Sequence, residues 1–172
     1  MRLEVDRHIA AGIDAVWSLL VDWSRQPEWM LDARRVEVAS PHDRGHGVTI
    51  HVPTSLFGLP VLDVMRVTGW DPPHRLEVTH LGRLIRGVGA FELTEVEGGT
   101  HVVWWEEVEA PLGVVGELSS RAVLPTLRAI FGRSLRRFAS LVEASAEADE
   151  PVDGDDVIAV AAVDDDTSKS SA

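Results

Sequence analysis

The chain contains no cysteine and no tyrosine, and its only lysine is Lys169. The first absence excludes a disulfide framework, a thiolate zinc site, an iron–sulfur cluster and a cysteine nucleophile. The second removes one common general acid. No apolar run reaches the length of a bilayer span, so no integral membrane association is expected. Met1 to Arg7 alternates charged and apolar residues where a secretory signal needs an apolar stretch, so the expected location is the cytoplasm. Positive charge is scarce. A formal net charge of −12 speaks against nucleic acid or an anionic membrane as the main partner. Gly-x-Ser-x-Gly, His-Glu-x-x-His and phosphate-loop patterns are missing. Gly87-Val88-Gly89 lacks a third glycine and opens no helix, so it suits sheet curvature or a bulge rather than a dinucleotide. His42 and His46 share a loop without a third ligand. Neither a cofactor nor a metal is expected.

What is present is an ordinary globular composition, 45% apolar and 26% charged over 172 residues. A body of that size buries roughly 70% of the surface its unfolded chain exposes and folds without staples. Charge divides the chain in two. Residues 147–172 hold nine acids against Lys169 and no aromatic residue, with one apolar patch from Val157 to Val163. Such a segment buries too little apolar surface to offset its ordering entropy, and it is expected to be a disordered acidic tail. Residues 1–146 are the expected domain.

The apolar periodicity predicts strands over Leu3–His8, Arg34–Ala39, Gly47–Val52, Val61–Trp70, Arg75–Leu81, Leu84–Val96 and Thr100–Ala110. A short helix over Ala15–Val21, N-capped by Asp14, and a second within Asp22–Met30 fall between the first two strands. Leu56–Pro60 is expected as a loop and Asp71–His74 as a turn. From Leu112 the pattern is helical. Leu124, Leu127, Phe131, Leu135, Phe138 and Val142 mark one face, and Pro125 marks a start or kink. The order gives an α+β fold in which a curved seven-stranded antiparallel sheet wraps one long C-terminal helix. One helix cannot cover so wide a sheet tightly, so a ligand cavity is expected between them.

Placing Glu97 opposite Thr100 pairs Leu93 with Trp104, Phe91 with Glu106 and Glu95 with Val102. Gly89, Phe91, Leu93, Val102, Trp104, Glu106 and Val108 then share an apolar face, while Glu92, Thr94, His101, Trp105, Glu107 and Glu109 face water. Glu106 is the misfit: either an acid or hydrogen-bond partner in a cavity, or a rim carboxylate paired to an arginine. His80 lies on the face of Leu76 and Val78, and Asp63 on the face of Val61, Met65 and Val67. If these faces point inward, His80, Glu106 and Asp63 are the candidate catalytic residues. The candidate ligand-binding set is Met65, Val67, Leu76, Val78, His80, Phe91, Leu93, Trp104, Glu106, Leu127 and Phe131. Phe91 and Trp104 would stack on a flat ligand, and His80 or Glu106 would orient it. Trp17, Trp23 and Trp29 read as packing anchors, and Arg128, Arg133, Arg136 and Arg137 as a solvated helix face.

Several segments resemble START-like, polyketide cyclase/dehydrase-type (SRPBCC, helix-grip) proteins. They are Val16-Trp17 with Asp22-Trp23 and Pro27-Glu28-Trp29, the Asp71-Pro72-Pro73 turn, and Gly89 through Thr100 followed by Val103-Trp104 and Glu107-Val108. The resemblance covers residues 1–146. It implies the helix-grip fold over a hydrophobic cavity and a small hydrophobic partner, lipid or polyketide-like. It supplies no universal catalytic motif. Three functions fit: binding of such a molecule, a cyclase, aromatase or dehydratase reaction in the same cavity, or a protein-interaction module with a collapsed cavity whose acidic tail contacts basic partners.

Overall fold

The first strand, β1 (Arg2–Ile9), pairs along its whole length with the last, β7 (Gly99–Val108), although about ninety residues separate them in sequence. The computed structural model describes residues 2–31, 33–56, 59–82, 85–109 and 113–149. After β1 come two short helices, α1 (Ile13–Leu20) and α2 (Gln26–Trp29). Strands β2 (Glu37–Val38), β3 (Thr49–Leu56), β4 (Leu59–Asp71), β5 (Arg75–Leu81), β6 (Arg86–Val96) and β7 follow, and then helix α3 (Gly113–Asp149). All pairings are antiparallel in the order β1-β7-β6-β5-β4-β3-β2, so consecutive hairpins build a curved sheet that β1 completes at one edge. This is the expected helix-grip architecture. The helical segment α1–α2 connects strands at opposite edges of the sheet, and its apolar residues enter the core.

Strand alternation sorts the two faces as expected. Ile50, Val52, Met65, Val67, Leu76, Phe91, Leu93, Val102 and Trp104 are buried against α1, α2 and the Leu135, Phe138, Ala139 and Val142 stripe of α3. On the outer face, Trp105 lies near the guanidinium groups of Arg2 and Arg75, and Arg75 bridges Glu77 and Glu92. α3 packs on β1, α1 and α2. Glu143 accepts the Ala10 N–H at 3.0 Å, and Ser134 accepts the Leu31 N–H at 3.1 Å, tying the helix to the ends of β1 and α2.

Several local expectations are corrected. α1 begins early, at Ile13 with Gly12 as its N-cap, so Asp14 lies in the first turn and does not cap it. There it still favours the positive helix end. Pro125 lies inside α3, so of the start or kink expected there only the start is excluded. β3 and β4 extend to Leu56 and Leu59, which shortens the expected Leu56–Pro60 loop. Leu84 and Ala110, predicted as strand ends, lie outside the described residues, as do Pro111 and Leu112.

The β6–β7 register differs by two residues: Leu93 pairs with Val102, Phe91 with Trp104 and Glu95 with Thr100. The reason is Gly99. It is a ladder residue opposite Val96, not part of the turn, at φ 151°, and a Cβ there would overlap the Ile9 carbonyl of β1. Glycine is needed for that close approach. A shift of two keeps every side chain on its face, so the inward set survives the correction.

Candidate functional site

Asp63, His80 and Glu106 come from three different strands and meet on the concave face. The register explains how. His80 lies opposite Met65 on one side and Gly87 on the other, so Asp63 is its diagonal neighbour on β4. Glu106 is two strands away, about 10 Å in backbone terms. It reaches His80 because the intervening strand presents Gly89 at that position. A Cβ on Gly89 would overlap the Glu106 carboxylate, so the bare backbone clears a lane for that side chain to lean across β6.

Within this row, His80 Nδ1 lies 2.9 Å from Asp63 Oδ2, and Nε2 lies 3.0 Å from Glu106 Oε2. The indole N–H of Trp104 donates to Glu106 Oε1 at 3.0 Å. The three ionisable residues are each more than nine-tenths buried. Burial alone would push the His80 pKa down. Hydrogen bonds to Asp63 and Glu106 and their negative charges outweigh it, and the value is raised from 6.5 to about 10. His80 is therefore an imidazolium at neutral pH that donates both ring N–H groups. Two carboxylates against one imidazolium leave one formal negative charge in an apolar surround. One acceptor is unused: Asp63 Oδ1 is buried with no hydrogen-bond partner among the described residues.

Beside the row stands a column of aromatic rings. Phe91 stacks on Trp104 with centroids 4.8 Å apart, and Trp104 stacks on Phe131 of α3 at 4.1 Å. Trp29 meets Phe91, Trp104 and Phe138 edge-on. Trp29 is fully buried, and its indole N–H has no partner among the described residues.

The candidate catalytic trio is thus brought together. Of the candidate binding residues, Met65, Val67, Leu76, Phe91, Leu93 and Trp104 are buried, and Val78, Leu127 and Phe131 half-buried. Two expectations need correction. Trp104 does not stand free for a flat ligand: Phe91 and Phe131 both stack on it. The expected hollow is not where the described pockets lie. One, about 570 Å³, runs between α2 and the exposed face of α3, and another, about 320 Å³, lies by Ala10 and Glu143. Sequence reasoning treats Trp29 as a packing anchor and misses its place at the centre of the column. It also misses the lane at Gly89, although an inward glycine two residues before Phe91 is the available signal. Arg128 does more than face solvent: its Nε donates to the Glu4 carbonyl.

Among the described residues, no helix is long and apolar enough to cross a membrane, and no cluster of His, Asp and Glu has the arrangement of a metal site.

Comparison with known proteins gives a family model described as polyketide cyclase / dehydrase and lipid transport, which matches residues 1–143. No curated protein matches in sequence. Among solved structures, the protein TTHA0849 from Thermus thermophilus superposes with a TM-score of 0.73 at 18% identity, covering 85% of this chain and 99% of that one. The di-domain ARO/CYC StfQ from the steffimycin biosynthetic pathway has a TM-score of 0.67 at 13% identity, over 85% of this chain and 51% of its own. A START superfamily protein from Mycobacterium smegmatis has a TM-score of 0.58 at 14% identity, over 86% of this chain and 97% of its own. At these identities the likeness is one of fold.

Proposed function

Because the chain belongs to the polyketide cyclase / dehydrase and lipid transport family, we propose that it holds a small, largely apolar molecule on the concave face, anchored through a hydroxyl. The observation that carries this reading is Asp63 Oδ1, an acceptor buried without a partner among the described residues, at the end of a charged row on an otherwise apolar wall. An unsatisfied buried polar atom costs about 1–3 kcal/mol, which a donor on a ligand would recover. The residual negative charge of the row selects against fatty-acid carboxylates and for neutral alcohols or phenols. Phe131 is only half-buried and holds the place over Trp104 that a flat ring would take. Binding therefore exchanges one ring stack for another.

Titration of tryptophan fluorescence with a fatty acid, a sterol and a polycyclic phenol tests this. The polycyclic phenol is expected to quench saturably, more tightly in Phe131→Ala, and about tenfold more weakly in Asp63→Leu, the equivalent of about 1.4 kcal/mol. The absence of saturable change with every compound, in the wild type and in Phe131→Ala alike, rejects the proposal.

A second reading is cyclase- or dehydratase-type chemistry, and one observation favours it: His80 touches both carboxylates within 3.0 Å. Both imidazole nitrogens are engaged, so His80 is no base in this state. Asp63, oriented by His80 and with Oδ1 open, is the group that would accept a proton. Turnover of a bound polyketide-like phenol that is lost in Asp63→Asn while binding persists would establish it.

A further inference from the structure

The groove between α2 and α3 has an unusual lining for so acidic a chain. Arg133, Arg136 and Arg137 line it together with Leu31, Leu141 and Ser140. The remaining wall residue, Glu28, has its charge answered by Arg25, whose guanidinium binds it through two nitrogens at 3.0–3.2 Å. The three arginines form no ion pair among the described residues. Their i, i+3, i+4 spacing makes them a continuous cationic strip, and exposed Leu31 and half-buried Leu141 line the same groove.

We propose that this groove is the docking site of the chain's own C-terminal acidic segment, residues 150–166. Charge and chain length both support it. Beyond the last helical residue, Asp149, the chain carries seven acids and one lysine. They bracket the apolar stretch Val157–Val163, with Asp155 and Asp156 before it and Asp164, Asp165 and Asp166 after it. That layout is complementary to a groove lined by two leucines and three cationic side chains. The helix places Arg137 about 18 Å back from Asp149. The eight residues from Glu150 to Val157 span up to about 27 Å when extended. The stretch Val157–Val163 therefore reaches the groove with slack for a reversal, and Pro151-Val152-Asp153-Gly154 has the composition of a turn. The tail then runs antiparallel to α3, its valines over Leu31 and Leu141 and its aspartates on the arginines. Tethering keeps the local concentration of the segment high, so weak contacts suffice. The docked tail shields this basic strip from other anions.

The absence of cysteine makes the test direct. In the full chain, Ala161→Cys gives a single site for a nitroxide label. Backbone amides of Leu31 and of Arg133 to Leu141 are expected to lose most of their NMR intensity, while those of Thr94 to Val96 on the far hairpin lose none. The broadening is expected to vanish in about 1 M sodium chloride, where the Debye length is about 3 Å. It is also expected to vanish in Arg133→Glu/Arg136→Glu/Arg137→Glu, whose remaining amide shifts report an intact fold. Asp164→Asn/Asp165→Asn/Asp166→Asn tests the same contact from the other side. Broadening spread evenly, centred on another surface or unchanged by these substitutions overturns the proposal. So does broadening of an unlabelled isotopic chain by a labelled second copy, which would make the contact intermolecular.

Discussion

Asp63, His80 and Glu106 set the chemistry of the molecule at the scale of single residues. The raised pKa of His80 has a definite thermodynamic sign. The folded protein holds the proton up to about pH 10 and the unfolded chain only to about 6.5. The stabilisation is therefore complete below about pH 6.5 and is lost as pH rises from there towards 10. Urea denaturation of the wild type and of His80→Phe across about pH 6–10 is expected to show the wild type losing stability with rising pH while the variant changes less. Gly89→Ala reads the same row through the backbone. Its methyl group displaces the Glu106 carboxylate, which His80 and Trp104 otherwise lock. The expected cost is about 1–3 kcal/mol, with a lowered His80 pKa in an NMR titration. The inward orientation of all three residues was legible from strand alternation. Their mutual contact was not, because contact across two strands depends on the absent side chain at Gly89 and on register.

Among the elements, the β6–β7 hairpin shows where pattern reading stops. Period-two alternation identifies both strands and both faces, because a strand's faces depend only on parity. Register depends on which of Gly98 and Gly99 turns the chain. Two adjacent glycines read alike in sequence, yet Gly98 turns at φ 77° and Gly99 makes room for the neighbouring strand. Substituting Gly99 by alanine is expected to destabilise the fold by at least about 1 kcal/mol by thermal denaturation, since its methyl would overlap the Ile9 carbonyl. α3 was likewise legible as an amphipathic helix through Phe138 and Val142. That Phe131 would cap Trp104 was not, since helix periodicity names a face and not the ring that face meets.

The whole molecule is organised by charge and by closure. Composition reveals an acidic segment and a nearly balanced body. It does not reveal that three arginines of that body line one groove, since their spacing equally fits a plain solvated stripe. Closure is visible in how protection should distribute. β1 is paired along eight residues and covered by α3, whereas β2 has two pairs and ends the sheet. Hydrogen exchange should place the β1 amides with those of β7 in the slowest class, with β2 opening far earlier. Equal exchange at the two edges would contradict this assignment.

The pairing of Arg2–Ile9 with Gly99–Val108 also governs how the chain is made. A nascent polypeptide leaves the ribosome with its opening strand first, and that strand's partner is synthesised about ninety residues later, several seconds at ordinary translation speeds. Throughout that interval Ile9, Val16, Leu20 and Trp29 have no finished wall to rest against, so productive folding waits for β7 to emerge.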